Sequence, residues 1–333
     1  MTSYIKAISY YLPKSVVSNN DLARMHPEWS IEKIAAKTGI YTRHIADENE
    51  FASDMGFKAA KLLFIDYSID PQEIDFLIFC TQSPDYLLPT TACILQDMLG
   101  LTTNTGALDI NLGCSGYVYG LALAKGLIAS GISKNVLLIT SETYSKFINP
   151  GDKSNKTIFG DGASATLIST NGFCSIEQFS VGTDGKGANN LIIKEGGARF
   201  PERSFKQTKD SFGNVTSPSF LYMNGPEIFS FTSKAVPALI EDVLYKNNLT
   251  KEDIHLYIFH QANQYMLEHL RKKIDIPQDK FFIFIKDCAN TVSSTIPIAL
   301  KEAFESGKVN KGEKCLLAGF GVGYSWGGCV LQF

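Results

Sequence analysis

The 333-residue sequence contains no apolar run close to the ~20 residues needed to span a bilayer. Met1-Thr2-Ser3-Tyr4-Ile5-Lys6 lacks the apolar core of a secretory signal, so a soluble, cytoplasmic protein without a membrane span is expected. The seven cysteines are an odd number and never fall into Cys-x-x-Cys or Cys/His metal spacing, which points to reduced thiols and to no disulfide frame or metal site. Neither sign of charge is in excess: 31 Lys and Arg stand against 34 Asp and Glu, and the net charge of -3 argues against nucleic acid as a partner. Gly323-Tyr324-Ser325-Trp326-Gly327 has Gly-x-Ser-x-Gly spacing but runs into a final strand and not a helix, so it is not the strand-turn-helix elbow of a hydrolase. Gly319-x-Gly321-x-Gly323 is followed by Tyr324-Ser325-Trp326 and a final strand. Without a helix N-terminus there is no dipole site for pyrophosphate, so a nicotinamide site is excluded, and the N–H groups of that turn are left for an oxyanion.

The hydrophobic content of 44% with 20% charged residues is an ordinary globular mixture with ample material for a large core. Continuous apolar runs predict strands at Tyr4 to Tyr10, Ile74 to Cys80, Ala107 to Leu112, Asn135 to Ser141 and Ala163 to Ser169. Helical patterns fall between them at Phe51 to Asp66, Thr91 to Leu99 and Gly116 to Ser130. Two shorter helices are predicted near the start, one capped at Ser18 and one over Glu28 to Lys37 with Gly39 as its stop. Later come helices at Gly225 to Lys246, Gln264 to Lys273 and Ser293 to Ser306, with strands at Ile254 to Phe259, Phe281 to Ile285, Lys314 to Ala318 and Gly327 to Phe333. Alternating strands and helices indicate an α/β protein with covered sheets. Both parts use the same grammar, a hint of duplication into 1–172 and 173–333. Residues 188–220, rich in Gly, Ser, Lys and Arg, read as a long surface excursion.

Three residues stand out for chemistry. Cys114 occupies the turn from a buried strand to a small-residue helix, where free N–H groups and the positive helix end favour a thiolate. The alternative is a core cysteine. His260 follows a strand directly in His260-Gln261-Ala262-Asn263, where α/β folds place ligands; a structural imidazole is the alternative. Asn290, in Cys288-Ala289-Asn290-Thr291 before a helix, is either a site amide or an N-cap.

Together, Asn111-Leu112-Gly113-Cys114-Ser115-Gly116, Phe159-Gly160-Asp161-Gly162-Ala163, His260-Gln261-Ala262-Asn263, Asn290-Thr291 and Gly321-Val322-Gly323-Tyr324-Ser325-Trp326-Gly327 resemble the ordered motif set of ketoacyl-acyl carrier protein synthase III. The resemblance implies the thiolase fold, two similar α/β halves in a five-layered α-β-α-β-α arrangement, and a homodimer. It implies Cys114 as the acyl-accepting nucleophile with His260 and Asn290 as catalytic partners, and the N–H groups of Cys114 and Val322 as the oxyanion hole. The activity implied is decarboxylative condensation of an acyl-CoA, through acyl-Cys, with malonyl-acyl carrier protein, coenzyme A thioester being the substrate and no cofactor being needed. Two other readings are an acyltransferase that passes the group from Cys114 to a hydroxyl or amine, and a non-catalytic binding subunit.

Some positions depart from the family pattern. Trp29 matches a residue set against the CoA adenine, but the spacing to Lys37 is three residues longer, and Lys37 and Lys153 stand where arginines are usual. Lysine meets phosphate as a point charge and cannot stack on a base. Phe159 and Leu88 are assigned by resemblance to the substrate pocket, Leu88 where a bulkier aromatic reaches across a dimer. Tyr265 and Ser230 replace basic carrier-docking positions, leaving Lys272 and Lys273 as the basic face for carrier-protein docking. Leu88 and the long excursion point to a specialised synthase as much as to general fatty-acid initiation.

Overall fold

The computed structural model describes residues 2–27, 30–209 and 215–333. In chain order the first part contains β1 (Tyr4–Tyr11), β2 (Ser15–Ser18), α1 (Asn19–Met25), α2 (Ile31–Thr38), β3 (Thr42–Ile45), α3 (Ala52–Asp66), β4 (Phe76–Cys80), α4 (Thr91–Met98), β5 (Gly106–Ile110), α5 (Gly116–Ala129), β6 (Asn135–Glu142), α6 (Lys153–Ile158) and β7 (Gly162–Ser169). The second part has β8 (Cys174–Thr183), four two-residue strands β9 (Leu191–Ile192), β10 (Thr208–Lys209), β11 (Val215–Thr216) and β12 (Tyr222–Met223), then α7 (Gly225–Lys246), β13 (Leu256–Phe259), α8 (Gln264–Ile274), α9 (Thr295–Glu305), β14 (Lys314–Gly321) and β15 (Ser325–Gln332).

The long strands form one hydrogen-bonded sheet in the order β13-β14-β15-β8-β1-β7-β6-β4-β5. Among the described residues its two parts join where Tyr4 and Ile5 of β1 pair with Ser175 and Cys174 of β8. Outward from that seam the order is the same on both sides. β1-β7-β6 and β8-β15-β14 are antiparallel, and each set continues into a parallel pairing with β4 or β13. Helix α3 lies on β1, β6 and β7, and α7 lies on β8, β14 and β15 with α8 beside it. Between the half-sheets sit α5, which touches β4, β6, β7, β8, β14 and β15, and α9, which touches β1, β7 and β13. The layers are therefore α, β, α, β, α: the thiolase fold. The middle layer has an apolar core, with Tyr117, Val118, Leu121, Ile296, Ala299 and Leu300 buried. That explains why α5 is largely apolar: most of its surface faces the two sheets, and Leu123, Gly126 and Ala129 are its exposed positions.

Sequence patterning and structure differ at several places. Phe281 to Ile285 is not a strand: Phe281 makes a single parallel bridge to Tyr257, and the Phe284 N–H donates instead to Gln261 Oε1 (2.8 Å), a side chain standing in for a strand partner. The segment occupies the edge that β5 occupies in the other half. Strand β8 and helix α6 were missed, the first because its alternation is broken at the exposed Gln178, where the register to β15 shifts, the second because it has only six mostly polar residues behind the cap Asp152. Gly319 and Gly321 belong to β14 rather than to a tight turn, which spans only 322–324. Helix α9 begins at Thr295 after a 3-10 turn, which leaves Pro297 in its first turn where the missing N–H is tolerated. Helix α2 starts at Ile31 behind the N-cap Ser30 and stops at Gly39 (φ 71°); Glu28 and Trp29 lie outside the described residues. No helix among the described residues is long and apolar enough to cross a membrane.

Candidate active site

Cys114 lies beyond the C-terminal end of β5 and just before α5, 7% exposed. Two backbone N–H groups point at its sulfur, its own and that of Val322 from the β14–β15 turn. The expected thiolate is not what this setting favours. Burial pushes the Cys114 thiol up to about 12, the Glu142 carboxyl group adds to the rise, and the two N–H donors offset only part of it. Desolvation outweighs the helix end, so the resting nucleophile is a thiol. Glycines permit this burial: a Cβ on Gly319 would stand 2.8 Å from the Cys114 carbonyl oxygen, and one on Gly321 would stand 2.8 Å from Sγ. Both are required by close approach of β14 to the nucleophile.

His260 follows β13 and is 2% exposed. Its backbone N–H donates to Ala318 O (2.8 Å), its Nδ1 meets Thr295 Oγ1 (2.7 Å), and the Phe320 ring stands edge-on at 5.8 Å. Burial lowers its pKa to about 3, with a backbone hydrogen bond at Val292 opposing, so the ring is neutral. Asn290 is equally enclosed. Its Oδ1 accepts from the Val292 N–H (2.9 Å), which turns Nδ2 toward the Ala262 carbonyl (3.3 Å) and the cavity. Its backbone pairs with the Phe159-Gly160 segment: Asn290 N–H donates to Ile158 O and Gly160 N–H to Asn290 O, both at 3.0 Å. The Phe159-Gly160-Asp161-Gly162 motif thus holds the Asn290 loop against the first half. Asp161 anchors that motif in turn, accepting from the Ser145 and Ala46 N–H groups (3.0 and 2.8 Å).

One cavity of about 820 Å³ is lined by Cys114, His260, Asn290, Phe159 and Phe320, and its lining runs outward to the exposed Lys33, Lys37 and Lys153. The three groups singled out in sequence, contributed by distant parts of the chain, therefore share one space. Leu191, Tyr222 and Met223, at the two ends of the surface excursion, line it too. Leu88 does not: it is 81% exposed beside Tyr86 and Leu87. Lys272 and Lys273 are exposed in the last turn of α8, about 11 Å along the helix from Tyr265, which does line the cavity. Trp29 lies outside the described residues.

Sequence reasoning missed Glu142, Thr295 and Val292. Glu142 is fully buried at the end of β6, where its carboxyl group accepts from Ser293 Oγ (2.7 Å), the Gln82 N–H (3.0 Å) and Ser83 Oγ (3.3 Å). It ties together the loops on either side of Cys114, and burial raises its pKa to about 8. An acidic residue closing an otherwise apolar strand was the available signal. Thr295 and Val292 gave none, because a helix-starting Thr and a loop Val are commonplace.

The family description for 3-oxoacyl-[acyl-carrier-protein] synthase III matches residues 108–185, and that for the C-terminal part of the same enzyme matches 244–333. The beta-ketoacyl-[acyl-carrier-protein] synthase III of Caldanaerobacter subterraneus subsp. tengcongensis is 36% identical over 97% of the chain and 95% of its own length. That of Campylobacter fetus is 38% identical over 99% and 98%. A crystal structure of a 3-oxoacyl-(acyl-carrier-protein) synthase III superposes with a TM-score of 0.97 at 46% identity, covering all of both chains. The priming beta-ketosynthase of the R1128 polyketide pathway does so at 0.88 and 27% identity, covering 99% of this chain and 96% of its own. With the cavity, the fold and these relatives in agreement, the chain belongs to the 3-oxoacyl-[acyl-carrier-protein] synthase III family.

Proposed function

We propose that the chain is an acyltransferase that loads an acyl group from acyl-CoA onto Cys114 and condenses it, with loss of CO2, onto malonyl-acyl carrier protein to give a 3-oxoacyl-acyl carrier protein. The observation that carries this reading is the shared cavity of Cys114, His260 and Asn290. Attack by the Cys114 sulfur on a thioester makes a tetrahedral oxyanion. The two N–H groups now aimed at the sulfur, those of Cys114 and Val322, are the nearest donors for it, and one such donor is worth about 3 kcal/mol of barrier. Splitting the transfer through acyl-Cys turns one difficult step into two easier ones. In the second step the malonyl thioester loses its carboxylate, and His260 and Asn290 Nδ2 stabilise the enolate oxygen while the carbanion attacks acyl-Cys.

The substrate needs no cofactor beyond the coenzyme A it carries. Lys33, Lys37 and Lys153 supply positive charge at the exposed end of the cavity for the phosphates of CoA, and Lys272 and Lys273 offer a basic face to an acidic carrier protein. The repeats 1–172 and 173–333 meet at the β1–β8 seam. The apolar run Tyr86-Leu87-Leu88, 62–89% exposed, suits burial in a homodimer, with Leu88 set against the partner's pocket. A cytoplasmic location goes with an enzyme working on CoA and carrier-protein thioesters.

Intact mass after incubation with a panel of acyl-CoAs tests the first step. The wild type is to gain one acyl group and Cys114→Ala none. Labelled CO2 release from malonyl-acyl carrier protein tests the second. An enzyme that acylates yet never releases CO2 refutes condensation, and one that gains no adduct refutes the catalytic reading.

A further inference from the structure

Ser115 occupies the N-cap position of α5, yet its side chain makes no bond to the first turn of that helix. A serine there ordinarily accepts from a free helical N–H. Instead its hydroxyl lies 2.6 Å from that of Ser325, 210 residues further along the chain, and Ser325 Oγ stands 3.0 Å from the Val322 carbonyl oxygen. Both serines are buried. A carbonyl can only accept, and each hydroxyl has one hydrogen. The Ser325 hydrogen is therefore directed at Val322, and the Ser115 hydrogen at Ser325 Oγ. Turning the Ser325 hydrogen toward Ser115 would leave two oxygens 3.0 Å apart with no hydrogen between them.

This chain of bonds ends beside the two N–H groups that point at the sulfur. Ser115 follows Cys114, whose own N–H is one of them, and Val322 supplies the other from the second half of the fold. The β14–β15 ladder brings the two ends close: Gly321, paired with Ser325, faces Cys114, and a Cβ on Gly319 would stand 2.9 Å from the Ser115 Cα. On its outer side the turn is held separately, because Tyr324 and Asp184 exchange both backbone bonds (2.8 and 3.0 Å). Loss of a serine hydroxyl leaves that outer hold and the ladder intact, so it releases the aim of the Val322 N–H without unfolding the turn.

Resting on the acyl transfer proposed above, we infer that Ser115 and Ser325 are positioning residues: their hydroxyl pair fixes the Val322 N–H at a set spacing from the Cys114 N–H, so that one thioester oxygen meets both donors. Neither serine has to touch the substrate or give up its proton. Donors preorganised for a developing oxyanion lower the barrier and leave binding of the ground-state thioester nearly alone. The connection between the halves is lost with either serine, so removing the second adds little.

Rapid-quench intact mass with acetyl-CoA tests this in Ser115→Ala, Ser325→Ala and the double variant. Because Ser115 caps nothing, its replacement removes no helix cap, and it carries the test if Ser325→Ala does not fold. Each single variant is to load about tenfold more slowly at saturating acetyl-CoA with little change in the half-saturating concentration, less than the 10²–10³ lost when a donor is removed outright. The double variant is to be no slower than Ser325→Ala, and Ser325→Thr, which keeps the hydroxyl, is to restore loading. The infrared band of the acyl-enzyme carbonyl, picked out with carbonyl-13C acetyl-CoA, is to rise toward that of a free thioester in each alanine variant, a shift that a purely structural role would not produce. Folded alanine variants that load and absorb like the wild type overturn the inference, as does a double variant whose loss is the product of the single ones. A wild type that gains no acetyl group refutes the activity itself. A crystal structure of resting Ser115→Ala, read without substrate, still decides the role of the pair: the Val322 nitrogen is to move away from Cys114 Sγ, and one that stays in place overturns it.

Discussion

Replacing Gly321 by alanine puts one methyl group against the nucleophile and nothing else. The added Cβ would stand 2.7 Å from Cys114 Cβ and 2.8 Å from Sγ, whereas ordinary contacts begin at 3.4 Å, so about 0.6–0.7 Å must be found. Gly321 does not have a positive φ, so backbone strain is not a competing cause. The room has to come from Cys114 or from β14, and both are held: Cys114 by the turn into α5, β14 by its pairing to β13 and β15. Overpacking of this kind costs ~1–3 kcal/mol, which corresponds to a fall of a few degrees in Tm at about 2–4 °C per kcal/mol. The effect on loading should be larger. Misplacing a reacting atom by ~1 Å can lose about 10²-fold, so a shift of roughly half that should slow acylation by about tenfold or more. Rapid-quench intact mass with acetyl-CoA gives the loading rate, and calorimetry gives Tm. Gly126→Ala is the control: it lies in α5 with nothing within 4 Å of the added Cβ, and should gain about 0.5–1 kcal/mol of helix stability with loading unchanged. Wild-type loading and Tm in Gly321→Ala would refute the claim that close approach of β14 seats the sulfur.

Two further outcomes follow from buried and exposed charge. Burial raises the Glu142 pKa to about 8, so the folded protein holds a proton that the unfolded chain releases near 4.5, and stability must fall as pH rises between those values. His260, lowered to about 3, makes stability rise with pH up to about 6.5, so the Glu142 effect stands clear between pH 6.5 and 8. There Glu142→Gln should flatten the decline of Tm, and a decline as steep as the wild type's would show that the carboxyl does not titrate in that window. Lys37→Glu and Lys153→Glu should each raise KM for acyl-CoA severalfold with little change in kcat, an effect that shrinks at high salt as phosphate attraction is screened. A salt-independent KM would point to contacts other than charge.

Much of the site was legible because its residues announce themselves locally. Cys114, His260 and Asn290 each lie in a turn or loop just before a helix, a pattern that needs only neighbouring residues to be seen. Apolar runs and helical periods placed most of the long strands and helices for the same reason: burial on a sheet face or helix stripe is written in side-chain spacing. The edge segment Phe281 to Ile285 looked like a strand on that evidence, and only the position of Gln261 determined that its backbone would bond a side chain instead.

What required the folded chain was every property set by distance across it. The local helix end argued for a thiolate at Cys114, but burial under β14 raises the thiol and the Glu142 carboxyl group adds to the rise, because desolvation depends on the total enclosure and not on the turn alone. Likewise Thr295 and Val292 are unremarkable until α9 and β13 bring them against His260. Sequence determined which chemical groups the protein possesses and which stretches fold as strands or helices, since those follow from side-chain type and spacing. Tertiary structure decided their protonation and partners, since both depend on what distant segments exclude or supply.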